Sequence, residues 1–295
     1  MKRWLAMICV LCCLALSGCA GAEQKGWAKE EWENVIMALA SDDEEPVPES
    51  RRASFRSGWL PSAEKGFINL LLISSDAPDI DRNFGRADAI LVCRTNLWTG
   101  ETRLLSLPED ALTTLPEVPE PIALRYVNCF GGAGLTARCV NDALNLGISH
   151  FCAVNIEAFI EIVDALGGVT MELTEGEAQA LDAAPGEQRL NGDQALRYVK
   201  LRRPGDGSIR VRALLTAVLR QTAEGGSLKQ MVSLADLLLP CVDTNLTTDD
   251  IVDLIFALFG QSRPVSFDAM GLSAKDGVLN AELAAQSREF LYGGE

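Results

Sequence analysis

The chain is poor in the groups that several enzyme classes require. Only one of its 295 residues is a histidine, His150, which excludes metal sites built from several histidines. Beyond the first nineteen residues no CxxC spacing occurs, so a zinc site is not expected from the five remaining cysteines, Cys93, Cys129, Cys139, Cys152 and Cys241. The sequence also contains no GxSxG motif, which argues against an α/β-type serine hydrolase.

Positive charge is scarce as well. Lysine and arginine total 26 against 41 aspartates and glutamates, and the net charge is −15. This acidic balance argues against nucleic acid as a partner, and against an anionic wall polymer held by bulk electrostatics. Any anion-binding site in this chain is therefore expected to be a local cluster of cations inside an acidic surface.

The N-terminus predicts export and lipidation. Lys2 and Arg3 precede an apolar run that is too short to span a membrane, and LSGC at 16–19 resembles the bacterial lipoprotein box. Residues 1–18 are thus predicted to be a lipoprotein signal peptide, with Cys19 as the lipidated residue. Such an anchor holds a protein stably at the extracytoplasmic face of the cell membrane. An ordinary signal peptide and an uncleaved anchor are the alternatives.

Residues 19–295 are predicted to form a tether followed by one domain. Residues 19–64 include the acidic, proline-bearing stretch SDDEEPVPES and are predicted to be a flexible tether. Residues 65–295 alternate apolar strands with helices, which predicts a single α/β domain whose mixed central sheet carries helices on both faces. The predicted strands are 67–74, 88–95, 102–107, 150–155 and 169–173; the predicted helices are 133–147, 156–166, one capped by Ser208, and one from Thr247 or Thr248 to Gly260.

A run at 190–202, LNGDQALRYVKLR, combines a helix start with cations. Asn191 and Gln194 have the spacing of a capping box. If residues 198–202 are extended, Lys200 and Arg202 share a face, and two adjacent cations on a mostly buried element favour a phosphate between them. The alternative is an amphipathic helix that leads into a solvated basic edge.

Two predicted strand ends carry acidic groups. Asp76 follows the first strand, and Arg86 with Asp88 opens the second. Because ligands in α/β folds bind at strand ends, two carboxylates beside an arginine suit a magnesium–pyrophosphate pair. Read singly, Asp76 is more typical of a turn residue before Pro78, and Arg86 with Asp88 is more typical of a surface ion pair.

These motifs carry a family resemblance. LNGDQALRYVKLR resembles the LNGEQALAYVRxR run of the LytR-CpsA-Psr family, while ISSD at 73–76 is similar to its GSD motif and GRAD at 85–88 to its RSD motif. The resemblance implies a phosphotransferase that moves a glycan phosphate from a polyprenyl-pyrophosphate-linked glycan to peptidoglycan.

It also implies a set of site residues. Asp76 and Asp88 would bind Mg²⁺, and Arg86 and Asp88 would be catalytic. The pyrophosphate would contact Arg86, Lys200, Arg202 and Arg210. The family's GRxxRQ helix start corresponds to SIRVRAL at 208–214, where Arg210 keeps the apolar side of the helix in register and Arg212 is the alternative.

One departure from the family pattern bears on activity. The family's PRD motif reads PED at 108–110, so that Glu109 stands where a phosphate-binding arginine is expected. Arg82, Arg94 and Arg125 are candidates to compensate for it. The alternatives to an active enzyme are a non-catalytic family member that binds polyprenyl pyrophosphate or glycan, and a structural lipoprotein that retains only the fold.

Overall fold

The structure is a computed structural model, and it describes residues 33–35, 37, 47, 60–77, 84–115, 118, 120–201, 209–225, 242–259, 266–274 and 276–293. Its strands are β1 (Phe67–Ser75), β2 (Ala87–Asn96), β3 (Thr102–Leu107), β4 (Leu112–Thr113), β5 (Ile122–Ala123), β6 (His150–Asn155), β7 (Val169–Leu173), β8 (Gly186–Leu190), β9 (Asp243–Thr244) and β10 (Phe267–Gly271). Its helices are α1 (Leu124–Leu144), α2 (Ile156–Ala165), α3 (Glu175–Ala180), α4 (Gly192–Lys200), α5 (Ile209–Gly225), α6 (Thr248–Phe259) and α7 (Ala281–Tyr292).

The central sheet is mixed, as the sequence predicts. Its six strands lie in the order β10-β3-β2-β1-β6-β9. The β1–β2, β2–β3 and β6–β9 pairs are antiparallel, while β1–β6 and β3–β10 are parallel. Four of the five predicted strands form β1, β2, β3 and β6 of this sheet, because continuous apolar stretches suit strands that are covered on both faces. The fifth, at 169–173, forms β7, which pairs with β8 in a separate two-stranded sheet.

Helices cover both faces of this sheet. Leu71, Val92 and Leu105 pair across β1, β2 and β3, so their side chains share one face, and they belong to the main core beneath α1 and α7. Helix α5 packs against β3 and β10 from the other face. The predicted α/β architecture with helices on both faces is confirmed.

Three described residues of the predicted tether are buried in the main core, Val35, Val47 and Leu60. The boundaries of the signal peptide, tether and domain stay predictions, and Cys19 lies outside the described residues. Within the described part of the chain, no helix is both long and apolar enough to cross a membrane.

Helix α1 differs from its prediction at both ends. It begins at Leu124, nine residues before the predicted start, and runs through non-helical backbone at Gly131 and Gly132, where Gly132 has φ +67°. This glycine pair is a kink between two helical segments. The helix ends at Leu144, where Asn145 in the left-handed conformation (φ 52°) closes it, rather than at Gly147.

Candidate functional site

Four of the predicted site elements meet at one end of the central sheet. Strands β1 and β3 end there, and β2, which is antiparallel to both, begins there. This topology brings together Asp76 after β1, Arg86 and Asp88 at the start of β2, and Glu109 after β3. The sequence predicted the two carboxylates and the arginine at strand ends, and the sheet order explains why they are neighbours.

Asp76 and Arg86 form a two-point contact. Asp76 Oδ1 accepts a hydrogen bond from the backbone N–H of Arg86 at 2.5 Å, and Oδ2 accepts one from Arg86 Nε at 2.7 Å. The backbone N–H of Asp76 in turn donates to the Arg86 carbonyl at 3.1 Å. The carboxylate and the guanidinium are thus oriented by each other, and both side chains are largely buried, at 23% and 22% exposure.

The loop before Arg86 must approach β1 closely. A Cβ at Gly85 would lie 2.3 Å from the backbone nitrogen of Ala77 and 2.5 Å from Asp76 Oδ1. The Gly85 carbonyl also accepts a hydrogen bond from the buried Asn128 Nδ2 on α1 at 2.7 Å. Glycine at this position therefore allows the Asp76–Arg86 contact, and the N-terminal part of α1 supports it from beneath.

Asp88 lies in a β-bulge. In the β1–β2 ladder, Ser74 pairs with Ala89 and Ser75 with Ala87, so that Asp88 is the extra residue between them. Bulges re-aim a side chain and are frequent beside active sites. The simple two-residue alternation that placed Arg86 and Asp88 on one face is interrupted here, because Arg86 precedes the strand and Asp88 sits in the bulge.

Glu109 faces a cation on α1. Glu109 is 5% exposed, and its Oε1 lies 3.6 Å from Arg125 Nη2, which also contacts Asp110 Oδ1 at 2.6 Å. Of the two candidate arginines that the structure describes, Arg94 and Arg125, it is Arg125 that lies against Glu109. Arg94 packs between the rings of Phe67 and Tyr292, and Arg82 lies outside the described residues.

The extended conformation expected at 198–202 is wrong. Helix α4 continues through Lys200, which is exposed, and Arg202 lies outside the described residues. The capping box is confirmed, since Asn191 Oδ1 accepts from the Gln194 N–H at 2.9 Å and Gln194 Oε1 accepts from the Asn191 N–H at 3.1 Å. The buried side of α4, including Ala195 and Tyr198, packs into the second core, and this packing extends the helix by three residues.

Arg210 is held by groups of the protein itself. Its Nε donates to Glu177 Oε1 at 3.2 Å, its Nη1 donates to the Leu201 carbonyl, and its guanidinium lies 6.0 Å from the Tyr198 ring centre. Burial by itself would raise the pKa of Glu177, but bonds from Thr174 and Arg210 outweigh it and lower that pKa. Burial, followed by the charge of Glu177, raises the pKa of Tyr198. Arg210 therefore links α5 to α3 and α4.

Arg212, the alternative to Arg210, is placed differently. Its Nη1 donates to Ser106 Oγ on β3 at 3.1 Å, and burial lowers the pKa of its guanidinium. Among the described residues, no carboxylate forms an ion pair with it. Both arginines lie in the SIRVRAL motif. The sequence contains no signal that shows which of them pairs with Glu177 on α3.

The predicted magnesium ligands are Asp76 and Asp88. In the described residues, no group of three or more histidine, cysteine, aspartate or glutamate side chains is arranged for a metal. Two carboxylates nevertheless suit Mg²⁺, which commonly binds through one or two of them together with phosphate oxygens and water. A carboxylate offers about four acceptor positions, and the contacts with Arg86 occupy two of those on Asp76. The residues present therefore fit Mg²⁺ chemically.

Comparison with known proteins decides the family. The model of the LytR_cpsA_psr family matches residues 34–284 of this chain. The chain belongs to this family. The membership that the LNGDQALRYVKLR, ISSD and GRAD motifs predicted is confirmed, and the LytR-CpsA-Psr match covers most of the described structure.

Relatives include two teichoic acid transferases. The chain is 27% identical over 226 residues to the polyisoprenyl-teichoic acid–peptidoglycan teichoic acid transferase TagU of Halalkalibacterium halodurans, and the aligned region covers 74% of each protein. It is 30% identical over 193 residues to TagU of Bacillus mycoides, and this aligned region covers 63% of each protein.

Solved structures share the fold. TagT bound to LIIa-WTA has a TM-score of 0.64 at 20% identity, over 81% of this chain and 98% of that one. TagT with bound octaprenyl pyrophosphate lipid has a TM-score of 0.59 at 20% identity, over 81% of this chain and 99% of that one. At this identity the likeness establishes the LytR-CpsA-Psr fold, and the roles of the individual site residues stay predictions.

Proposed function

We propose that this protein is an extracytoplasmic phosphotransferase that moves a glycan phosphate from a polyprenyl pyrophosphate carrier to peptidoglycan. The observation that carries the proposal is the Asp76–Arg86 contact beside the bulged Asp88, at the sheet end where the family motifs meet. The TagU relatives are, by their names, transferases of teichoic acid from a polyisoprenyl-linked form to peptidoglycan.

Each site residue has its own role in the proposed transfer. Asp76 fixes the Arg86 guanidinium, and Arg86 neutralises the diphosphate together with Lys200 and Arg202. Charge builds up on the leaving polyprenyl phosphate in the transition state, so cations that are already in position lower the barrier without further reorganisation. Asp88, aimed by the bulge, would accept the proton of the attacking sugar hydroxyl.

Magnesium and the lipid anchor are parts of the same proposal. Asp76 and Asp88 would hold Mg²⁺, which would neutralise further charge on the diphosphate when bound. Lipidation at Cys19 would keep the domain at the membrane surface, where a polyprenyl carrier resides. The prenyl chain needs an apolar slot, which the helices after residue 133 are expected to supply.

A binding-only role is the second candidate function. The observation that favours it is Glu109, a buried acid at the position where the family motif has an arginine. Arg125 neutralises this acid but also has a second partner in Asp110, so the site contains less net positive charge than the family motif specifies.

A transfer assay with purified components distinguishes the phosphotransferase from the binding-only role. The protein would be mixed with Mg²⁺, a short-chain polyprenyl-pyrophosphate-linked glycan and a peptidoglycan fragment, and released polyprenyl phosphate would be measured. We expect release by the wild type, and its loss on chelation and in Asp88→Asn. Binding without release would support the binding-only role, and neither binding nor release would contradict both.

Calorimetry tests the cation assignment. Arg86→Ala and Arg202→Ala should each weaken diphosphate binding by about 1.5–3 kcal/mol, the range for a lost charge-assisted bond. Arg138→Gln is the matched control, because Arg138 lies on α1 and pairs with Asp142, away from this end of the sheet. Equal losses in all three variants would show that only overall charge matters.

A further inference from the structure

The central sheet has an open edge at β10. This strand is the outermost one beside β3, and within the described part of the chain no other strand pairs with its outer side. Three of its five residues, Asp268, Ala269 and Gly271, are exposed. Proteins commonly block such an edge with lysine, proline or a covering element, because an unpaired strand allows another chain to pair with it. Strand β10 contains neither lysine nor proline.

The hydrogen-bond pattern shows which backbone groups this edge offers. Ser266 and Leu272, which flank β10, each form a backbone hydrogen bond with β3 at 3.0 Å. Alternate residues of a parallel strand turn both their N–H and their C=O towards the same neighbour. The even-numbered residues of β10 therefore bond to β3, and the odd-numbered ones, Phe267, Ala269 and Gly271, point their backbone groups outward.

The open edge leads to the proposed site. Strand β10 is parallel to β3, so Gly271 lies at the end of the sheet where β3 is followed by Glu109. Asp76 follows β1, three strands away, which is about 14 Å at a strand spacing of about 4.8 Å. A sugar ring together with about two extended peptide residues, at about 3.3 Å each, covers this distance.

An apolar pair lies beyond the same end of the sheet. The segments that follow β3 and β10 meet at Leu112 and Val278, which form a parallel β-bridge. The N–H of Leu112 donates to the Gly277 carbonyl at 2.7 Å, and its carbonyl accepts from the Leu279 N–H at 3.2 Å. Both bridged side chains stay exposed, at 39% and 41%. They offer an apolar contact to small side chains at the end to which the open edge leads.

We propose that the outer edge of β10 binds the peptide arm of the peptidoglycan acceptor as an added β-strand. Main-chain hydrogen bonds to Ala269 and Gly271 supply the affinity, as in other cases of strand addition to a sheet edge. The inference rests on the proposed function and deepens it, because it names a part of the acceptor that is recognised besides the sugar that receives the phosphate.

A second copy of the chain is the other possible occupant of such an edge, and its charge disfavours it. Each copy has a net charge of −15, so two copies repel each other. A five-residue edge also buries little area, whereas a stable dimer needs about 1,200 Å² or more. A peptide that is attached to a sugar in the site needs far less, since binding at one point raises its effective concentration at the other.

Two peptidoglycan fragments test the proposal. One is a disaccharide that carries its pentapeptide, and the other is the same disaccharide without the peptide. Binding of each to the full chain would be measured by NMR titration in the absence of a donor. We expect the wild type to bind the peptide-bearing fragment about tenfold or more tightly than the peptide-free one. Equal affinities would overturn the proposal.

Ala269→Pro closes the edge without touching the bonds to β3. Proline is tolerated at an edge position whose N–H faces outward, and here it removes one donor and places its ring where the added strand would lie. Ala269→Ser is the matched control, since it keeps the N–H. We expect Ala269→Pro to abolish the preference for the peptide-bearing fragment and Ala269→Ser to retain it. Retention in both variants, or loss in both, would contradict the assigned backbone contacts.

Hydrogen exchange in the wild type provides a readout that does not depend on any variant. The outward amides of Ala269 and Gly271 should exchange fast in the free protein and slow severalfold with the peptide-bearing fragment, whereas the Met270 amide, which faces β3, should be slow in both states. Unchanged exchange at Ala269 would overturn the proposal. So would a wild-type dimer, seen by sedimentation, that Ala269→Pro converts to a monomer, because the edge would then belong to a second copy.

The proposed function and this inference fail separately. A protein that prefers the peptide-bearing fragment but releases no polyprenyl phosphate would sink the phosphotransferase and leave this surface standing. Transfer to the peptide-free fragment as fast as to the peptide-bearing one, at fragment concentrations well below saturation, would support the phosphotransferase and overturn this inference.

Discussion

The Asp76 carboxylate binds Arg86 at two points, the backbone N–H at 2.5 Å and the guanidinium Nε at 2.7 Å. One contact fixes where the chain enters β2 and the other fixes where the cation points. A residue predicted as a metal ligand is thus also the residue that positions the neighbouring arginine, so its substitution has a structural effect as well as an effect on binding.

Asp76→Asn should therefore destabilise the fold moderately. The amide retains one acceptor but loses the charge and one of the two bonds, which costs roughly 1–2 kcal/mol for a pair that is partly exposed. Urea unfolding measures this. Asp110→Asn is the control, since Asp110 also contacts an arginine, at 2.6 Å, but its side chain is 80% exposed and its loss should be close to neutral. Equal losses in the two variants would contradict the positioning role.

Glu109→Arg should lower stability and diphosphate affinity rather than restore a family arginine. The new guanidinium would lie beside Arg125 in a site where Glu109 is 5% exposed, and breaking a buried pair costs up to about 3–5 kcal/mol. Arg125 keeps Asp110, so we expect a loss of roughly 2–3 kcal/mol. Binding and unfolding at two salt concentrations provide the measurement. A gain in affinity at low salt would show instead that the site is a weakened version of the family pocket.

Glu177→Gln should destabilise the junction of α3, α4 and α5. Both side chains of the Glu177–Arg210 pair are largely buried, at 15% and 13% exposure, and the substitution removes the carboxylate charge that faces the Arg210 guanidinium. We expect a loss of about 1–3 kcal/mol in urea unfolding. The control is Asp182→Asn, which removes an exposed partner of Arg197. A Glu177→Gln protein as stable as the Asp182→Asn protein would show that this pair contributes nothing.

His150 should make folding sensitive to acid. Its Nδ1 contacts Ser149 Oγ at 2.9 Å and its Nε2 lies 3.5 Å from Asp250 Oδ2. Burial lowers the pKa of His150, and the charge of Asp250 opposes the effect only in part. Because the folded pKa is below the unfolded value of about 6.5, the unfolded chain takes up the proton first as the pH falls.

The stabilising effect of neutral His150 is thus complete above that pH and is lost as the pH falls towards the folded pKa. His150 is the only histidine, so unfolding midpoints of wild type and His150→Gln between pH 7.5 and 5 isolate its contribution. We expect a steeper loss in the wild type, and parallel curves would contradict it.

Cys19→Ala tests the anchor. Without the thiol, the protein should leave the membrane fraction or remain uncleaved, because the lipid is attached at this residue in the lipoprotein pathway. Detergent partitioning and electrophoretic mobility provide the measurement. Unchanged partitioning together with unchanged mobility would mean that Cys19 carries no lipid.

Local patterns were sufficient for much of the fold. The strand prediction for 102–107 matches β3, and that for 150–155 matches β6, because each is an apolar run bounded by polar or turn residues. The Asn191–Gln194 capping box is also a local signal and was predicted correctly. The start of α1 was missed, since a Gly-Gly pair in the sequence is typical of a loop, whereas in the structure both segments pack against the central sheet and α7.

The sequence by itself determined the family, four of the six strands of the central sheet (β1, β2, β3 and β6) and the two carboxylates at its end. The tertiary structure alone decided the partner of each charged side chain: Asp76 pairs with Arg86, Glu109 with Arg125 and Glu177 with Arg210, while Arg212 donates to the Ser106 hydroxyl. The physical reason is the sequence distance over which each kind of interaction acts. Helix and strand signals act between residues a few positions apart, whereas the partners of these ion pairs are brought within 4 Å by strand order and helix packing that no local pattern encodes.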